Sequence, residues 1–213
     1  MLHYMKNHIP LSVTELVMYS DGCGGQQKNH YFSAMCLYAV ETTGIQSIRH
    51  VFMEKGHSQS EVDQVHARLE KRMKRIPISD EDEWVREAEN SKQTQPKYEV
   101  EHIKHSDILN FKDYGKERLP QKLVDSNTDN PIAWTDVHII EYRKTEPGKI
   151  FIKTDESTNT FEVTAQKKRS RRSQHVVHPA PKYPNRLPIS QKKRNDLMRL
   201  CKKGLIHPKY HKF

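Results

Sequence analysis

The chain has 213 residues, of which 34% are hydrophobic and 30% are charged, and its formal net charge is +9 at pH 7. This length accommodates one domain with an appendage or two small domains, and it excludes two full enzyme domains. The mean hydropathy of −0.91 indicates a modest core with long polar segments. Three cysteines without a C-x-x-C pair exclude a disulfide framework and a cysteine zinc finger. With neither a long apolar run nor a signal peptide in the sequence, we expect a soluble, intracellular protein without a membrane partner.

The N-terminal segment predicts a helix, a strand and a loop. Residues 2–10 are typical of a helix that ends at Pro10. Residues 15–21 form a short, mostly apolar run that ends in a carboxylate, as expected for a buried parallel strand. Residues 22–28 contain three glycines and are predicted to form the loop after that strand.

A helix and a second strand are predicted next. Residues 29–44 place apolar side chains at helical spacing, with Asn29 as the N-cap and Gly44 as the C-terminal stop, which predicts an amphipathic helix. Residues 45–54 are rich in β-branched and aromatic residues, which favour a strand. A strand–helix–strand unit of this kind pairs its strands in parallel, with a right-handed crossover.

A second helix is predicted over residues 58–75. It begins with a capping-box pattern that runs from Ser58 to Glu61. Apolar residues recur along one side of this helix and are expected to face the core. They are Val62, Val65, Leu69 and Met73.

The middle of the chain changes from helical patterns to short strands. Residues 80–90 predict a short acidic helix anchored by Trp84, and residues 96–111 predict a strand and then a helix that starts at Ser106. Residues 131–164 contain three short strand patterns separated by turn signals, so we expect a small antiparallel meander there.

The C-terminal end is strongly basic. Residues 165–213 hold 15 of the 36 lysines and arginines and a single acid, Asp196, so this segment carries +14. The rest of the chain, with 21 basic and 26 acidic residues, carries −5. Residues 167–184 lack apolar periodicity and predict a disordered linker. A helix is predicted from Ser190 to Lys203, with Leu197, Leu200 and Cys201 on its inner side and Gly204 at its end.

Basic character confined to one end of an intracellular chain is typical of an arm that docks on a polyanion, most often a nucleic acid. The alternative is a solubilising or nuclear-import tail. Two basic clusters, at residues 167–172 and 191–194, also predict localisation to the nucleus. The predicted DNA-binding residues are Lys167, Lys168, Arg169, Arg171, Arg172, Lys192, Lys193 and Arg194.

Two carboxylates are candidates for chemistry. Asp21 closes a predicted strand, and ligands of open α/β sheets bind beyond the carboxyl ends of the strands. The structural alternative for Asp21 is a cap for a loop amide. Asp63 and His66 are i,i+3 neighbours on the next predicted helix. Their alternative is a solvated helix face, with His57 as a hydrogen bonder in the preceding loop.

The segments YSDGCGGQQKN and HVFMEKGHSQSEVDQVHARLEK resemble a domain that is abundant in transposon-rich animal genomes. That domain is similar to RNase H-like DDE transposases and integrases. The Gly-His-Ser…Asp…His spacing carries the resemblance, which extends more weakly over nearly the whole chain. It implies an α/β fold with a partial RNase H-like core, in which a strand, helix, strand and helix follow in order with parallel pairing. A small antiparallel β meander and a basic helical tail would follow this core.

The resemblance also implies roles for individual residues. Asp21 matches the second acidic residue of the DDE triad, and Asp63 matches the third. In this family such carboxylates hold Mg²⁺ or Mn²⁺ for the cleavage and transfer of DNA strands. The accompanying polar positions are matched by Gln26, Asn29, His57 and His66.

The first acidic residue of the triad has no counterpart, because the strand that bears Asp21 begins at Glu15 and leaves no room for three earlier strands. We therefore expect a truncated or domesticated transposase-derived protein that binds DNA without cleaving it, with a second copy of itself or a full-length paralogue as a further partner. One alternative is a domesticated DNA- or chromatin-binding factor. Another is a zinc-dependent hydrolase that uses His57, Asp63 and His66.

Four segments are predicted from these patterns. Residues 1–78 would form the C-terminal half of the RNase H-like core, and residues 79–164 an α+β extension with the meander. Residues 165–189 would form the basic linker, and residues 190–213 the basic C-terminal helix and tail.

Overall fold

The computed structural model describes residues 1–54, 56, 60–120, 122–154, 162–163 and 178–211. They form a mixed α/β structure with two compact units. Unit 1 comprises Met1–Ser58 and Ser106–Lys182, and unit 2 comprises Gln59–His105 and Tyr183–Phe213. Within these described residues, no helix has both the length and the apolar character that crossing a membrane requires.

Unit 1 contains the predicted strand–helix–strand unit. Strands β1 (Glu15–Asp21) and β2 (Ser47–Met53) pair in parallel, and helix α2 (His30–Thr42) connects them. The register runs from Glu15 opposite Ser47 to Asp21 opposite Met53. The predicted parallel pairing is therefore confirmed, and the bounds of β1 agree with the prediction.

Strand β1 lies at the edge of the sheet. Among the described strands it pairs with β2 alone. Its side chains alternate between two environments, because successive residues of a strand point to opposite faces of the sheet. Met18 and Ser20 are buried, while Val17 and Tyr19 are 50% and 67% exposed.

The predicted meander continues the same sheet. A separate two-stranded pair, β3 (Leu123–Val124) and β4 (Pro131–Ile132), comes first. Strands β5 (Ile139–Arg143), β6 (Phe151–Lys153) and β7 (Glu162–Val163) then pair antiparallel with one another. Because β5 also pairs antiparallel with β2, the described strands form one five-stranded mixed sheet in the order β1-β2-β5-β6-β7.

Helix α2 is buried on all sides rather than amphipathic, so that prediction is wrong. Eight consecutive residues, Ser33–Val40, are buried. The helix packs against β2 and β5 and also contacts two further helices, α1 (Leu2–Asn7) and α5 (Phe111–Arg118). A helix enclosed in this way is apolar around its whole circumference, so no polar stripe marks an outer face.

The ends of α2 agree with the prediction at the N-terminus only. Asn29 is the N-cap, as predicted. The helix ends earlier than predicted, with Thr43 as the C-cap in an extended conformation. The backbone N–H of Thr43 donates to the carbonyl of Ala39. Gly44 directly follows this C-cap, but it lacks the positive φ that a glycine commonly adopts after a helix end.

A shielded ion pair joins α2 to α5. Nη2 of Arg118 donates to both carboxylate oxygens of Glu41, and the two side chains are 8% and 6% exposed. The hydroxyl of Tyr114 donates to Oε2 of Glu41 at 3.4 Å. Burial and the nearby Glu41 carboxylate raise the pKa of Tyr114. The polar side chains where α2 and α5 meet are thus hydrogen-bonded to one another inside unit 1.

Residues 178–182 are part of unit 1 and are hydrogen-bonded to residues 108–110, although they fall within the segment predicted to be a disordered linker. The backbone N–H of Asn110 donates to the carbonyl of Ala180 at 2.8 Å, and that of Lys182 donates to the carbonyl of Ile108 at 2.6 Å. The helix start predicted at Ser106 is wrong, because α5 begins at Phe111. The strand predicted from residue 96 is also wrong, since residues 97–104 have no regular secondary structure.

Unit 2 contains three helices among its described residues: α3 (Glu61–Met73), α4 (Glu81–Glu89) and α6 (Gln191–Lys202). Helix α3 was predicted to share one segment with β1 and β2. Of its predicted core-facing stripe, Val65, Leu69 and Met73 are half-buried, whereas Val62 is 60% exposed. The stripe is therefore covered only in part.

An ion pair links α3 to α4. Arg72 of α3 donates through Nε and Nη2 to Oε2 of Glu87 on α4, at 2.8 and 2.6 Å. Glu87 is one of only two buried residues of α4. The pair therefore lies at the covered side of α4.

Candidate functional site

The carboxyl ends of β1 and β2 lie side by side, because Asp21 pairs in register with Met53. Asp21 is exposed at this end of the sheet. Glu54 follows Met53 directly, so two carboxylate side chains belong to the same edge. In open α/β sheets this is the edge at which ligands bind.

The loop after Asp21 is closed by hydrogen bonds to one carbonyl. The carbonyl of Cys23 accepts from the backbone N–H groups of Gln26, Gln27 and Lys28, at 3.1–3.2 Å. This turn brings the chain from the end of β1 to the start of α2. Gln26, a predicted site residue, is exposed in this turn.

Asn29 holds this loop and caps α2 at the same time. Its Nδ2 donates to the carbonyls of Gly24 and Gln26, at 3.1 Å each. Its Oδ1 accepts from the backbone N–H groups of Tyr31 and Phe32, at 2.9 and 3.0 Å. Both ends of the amide are thus engaged within the chain, so the structure gives Asn29 a positioning role at this edge.

A cleft of about 500 Å³ opens beside the loop, within unit 1. Its lining includes Gly22 and Gly24 from the loop, Glu54 from the end of β2 and His138 from the residues before β5. Lys28 also lines the cleft, where its Nζ donates to the carbonyl of Thr135 at 2.9 Å. The cleft therefore combines a carboxylate, an imidazole and an ammonium group.

Glu54, His138 and Lys28 were not among the predicted site residues. Glu54 could have been predicted, because it directly follows β2, and the carboxyl ends of parallel strands lie at one edge of the sheet. His138 could not have been found in this way, since only the antiparallel pairing of β5 with β2 brings it to the cleft.

A buried histidine lies beneath this edge, on β2. His50 is 1% exposed, and its Nε2 lies 2.8 Å from Oγ of Ser20. The rings of Phe32 and Phe52 lie 5.1 and 4.2 Å from its ring. Burial lowers the pKa of His50 to about 4, so the imidazole is neutral at pH 7. His50 thus packs as a neutral polar residue that is hydrogen-bonded to Ser20, the residue before Asp21.

Asp63 and His66 lie on α3, in unit 2. Asp63 closes a capping box, because its Oδ2 accepts from the backbone N–H of Ser60 at 2.8 Å and from the Ser60 hydroxyl at 3.2 Å. The predicted box from Ser58 to Glu61 is therefore wrong. His66 is exposed. His57, predicted to accompany them, lies outside the described residues.

Asp21 lies in unit 1 and Asp63 and His66 lie in unit 2, and within neither unit do these described donors converge as a two-metal site requires. Several carboxylates must converge on two divalent cations in such sites. Among the residues that the structure describes, Asp21, Asp63 and His66 belong to no group of three donor side chains whose ligand atoms lie within 4.8 Å of one another. We therefore derive no catalytic step through Mg²⁺ or Mn²⁺.

Helix α6 belongs to the basic C-terminal segment. Ser190 caps it by accepting from the backbone N–H of Lys193 at 3.2 Å, and Gly204 follows its end with a φ of +68°. Both features confirm the prediction. Leu197 and Cys201 are half-buried, whereas Leu200 is exposed, so only part of the predicted inner side is covered.

Helix α6 exposes its cations. Lys192, Lys193 and Arg194 are all exposed on its first turn. The following segment returns to α4, where the Tyr210 hydroxyl donates to Oε1 of Glu83 at 2.5 Å. The other predicted DNA-binding residues, Lys167, Lys168, Arg169, Arg171 and Arg172, lie outside the described residues.

Comparison with known proteins gives one family. Residues 1–159 match the model of DUF7869, described as a domain of unknown function. Neither a curated protein nor a solved structure matches the chain. The matched range includes β1, the loop that Asn29 holds, and α3. Because this model covers more than half of the 213 residues, the protein belongs to the DUF7869 family.

Proposed function

We propose that this protein binds DNA through its basic C-terminal segment, on a core related to RNase H-like transposases that does not cleave DNA by itself. The observation that carries the proposal is the exposed cluster Lys192, Lys193 and Arg194 at the start of α6. A cluster of exposed cations on a segment of +14 favours the phosphate backbone of a nucleic acid.

The fixed position of α6 supports a docking role. The Ser190 cap and the contact between Tyr210 and Glu83 hold both ends of this part of the chain. Cations held on a helix lose less conformational freedom when they bind a phosphate than cations on an unstructured chain. Phosphate contacts carry no sequence information, so we expect binding without sequence preference.

The proposal is tested with a labelled 20-base-pair duplex and fluorescence anisotropy at several salt concentrations. The variant K192Q/K193Q/R194Q should bind more weakly than wild type, with a smaller slope of log K against log salt. The control K74Q/K112Q/K122Q removes the same charge from three exposed lysines outside α6. Equal affinity and slope for the two variants would refute the role of α6.

The relation to RNase H-like transposases is supported by the parallel pairing of β1 with β2 and by Asp21 at the carboxyl end of β1. The lack of cleavage is supported by the engagement of Asp63 in the cap of α3. We expect no nicking of supercoiled DNA in Mg²⁺ or Mn²⁺. Nicking that Asp21→Asn abolishes would overturn this part of the proposal.

We also propose that the protein acts in the nucleus, on the basis of the clusters at residues 167–172 and 191–194. A fluorescently tagged chain should accumulate there. Retention in the cytoplasm would instead favour a tail that only increases solubility.

A further inference from the structure

Unit 2 carries a second basic surface, formed by α3 and the residues that follow α4. Arg68, Lys71 and Arg72 are spaced i, i+3 and i+4 and so lie on one side of α3, and Arg75 follows in the turn after this helix. Together with Lys92 they line a cavity of about 540 Å³, which we call the basic cleft.

Two contacts hold the cations of the basic cleft in place. Arg72 is fixed by the hydrogen bonds of its Nε and Nη2 to the buried Glu87. Tyr98 orients two further cations, because its hydroxyl accepts from Nη1 of Arg68 at 3.1 Å and its ring lies 5.7 Å from Nζ of Lys92. The cleft is therefore arranged before any ligand binds, which lowers the entropy cost of binding.

The positive charge of the cleft is largely uncompensated. Glu87, which pairs with Arg72, is the one acid that forms an ion pair with these five cations among the described residues. Five cations against one carboxylate leave +4. The remaining acid in this part of α3, Glu70, pairs with Lys74 at 2.8 Å, and neither residue lines the cleft.

The dimensions of the cleft fit a row of phosphates. From Arg68 to Arg72 the helix rises by about 6 Å. Phosphates of one strand of duplex DNA follow one another every 3.4 Å or so along the axis, so this length spans more than one of them. Arginine presents several donors in a planar fork that suits phosphate oxygens.

We propose that the basic cleft binds the phosphate backbone of DNA as a second contact site, separate from α6. This inference rests on the proposed function, since it takes DNA as the ligand of the protein. It assigns DNA contacts to residues on α3, where the sequence resemblance pointed only to Asp63 and His66.

The variant R68Q/K71Q/R75Q tests the cleft in the full chain. It keeps Arg72 and Glu87, so the ion pair between α3 and α4 remains. The control K74Q/K112Q/K122Q removes the same charge elsewhere and includes Lys74, the C-cap residue of α3. Compared with this control, the cleft variant should bind the 20-base-pair duplex at least tenfold more weakly at low salt. Its slope of log K against log salt should be smaller by about two to three.

Lysine footprinting separates failure of this inference from failure of the proposed function. With saturating duplex, an amine-reactive label should be excluded from Lys71 and Lys92 as well as from Lys192 and Lys193. Protection of the α6 lysines alone, with a cleft variant that matches its control, would overturn the cleft and leave the proposed function standing. The absence of protection at both sites would overturn both.

Discussion

The carboxylate of Asp63 accepts two hydrogen bonds from Ser60, one from its backbone N–H and one from its hydroxyl, and thereby closes the first turn of α3. This geometry gives Asp63 a structural task whether or not it also meets a ligand. A carboxylate in the first turn also interacts favourably with the helix dipole.

Asp63→Ala is expected to destabilise α3 by about 1 kcal/mol, because the cap is lost. Asp63→Asn should cost less, since its amide oxygen can still accept from Ser60. Circular dichroism during urea unfolding measures both changes. The control is Glu61→Ala, which alters an exposed acid in the same turn that makes no contact in the box. Equal losses for Asp63→Ala and Glu61→Ala would contradict the capping role.

Asn29→Asp separates the two roles of Asn29. The aspartate can still accept from the N–H groups of Tyr31 and Phe32, but it cannot donate to the carbonyls of Gly24 and Gln26. We expect Asn29→Ala to cost about 1–2 kcal/mol. Asn29→Asp should keep the helix while loosening the loop, which hydrogen exchange at residues 24–28 would reveal. Unchanged exchange in Asn29→Asp would argue against the contacts to the loop.

The stability of unit 1 should fall in acid because of His50. Burial lowers its pKa to about 4, whereas an unfolded histidine titrates near 6.5. The folded state therefore binds fewer protons, and stability is lost as the pH falls from about 6.5 to 4, by up to about 3 kcal/mol. The double variant S20A/H50L removes both hydrogen-bond partners, so its unfolding free energy should vary less with pH. Urea unfolding at pH 7.5 and pH 4.5 compares the two proteins, and parallel pH profiles would exclude this role for His50.

The next prediction concerns the contribution of the shielded ion pair between Glu41 and Arg118 to stability. Glu41→Gln should cost about 3–5 kcal/mol, because it leaves a guanidinium without its counter-charge inside unit 1. The double variant E41L/R118M replaces both groups with apolar side chains and should recover most of that loss. Thermal unfolding of the single and double variants measures whether the double variant recovers the lost stability. A double variant as unstable as Glu41→Gln would show that the pair itself stabilises the fold.

Features that depend on short-range sequence patterns could be predicted from the sequence. The strand ending at Asp21, the Asn29 cap and the helix from Ser190 all depend on short-range patterns. The capping box of α3 was misplaced because the sequence contains two overlapping patterns, Ser58 to Glu61 and Ser60 to Asp63, each with the same spacing. Local sequence cannot choose between them, because both offer a hydroxyl and a carboxylate.

Contacts between distant residues were not predictable in the same way. The burial of α2 on all sides depends on the close approach of α5, where a Cβ on Gly115 would lie 3.0 Å from the ring of His30. The docking of residues 178–182 depends on backbone hydrogen bonds to residues 108–110, which leave no mark on side-chain periodicity. The cleft near Asp21 likewise requires β5 to bring His138 to the end of β2.

The outer edge of β1, which no other described strand covers, has a consequence for solubility. Such an edge with Val17 and Tyr19 exposed is a template on which further strands can add. A second copy that paired antiparallel about Met18 would set Glu15 against Asp21 on each side of that centre, and like charges directly opposite one another destabilise a strand pair. We therefore expect the two carboxylates at the ends of β1 to disfavour this pairing between copies. Any study of Asp21→Asn should therefore include Glu15→Gln, because turbidity that both variants share would arise from this edge and not from lost chemistry.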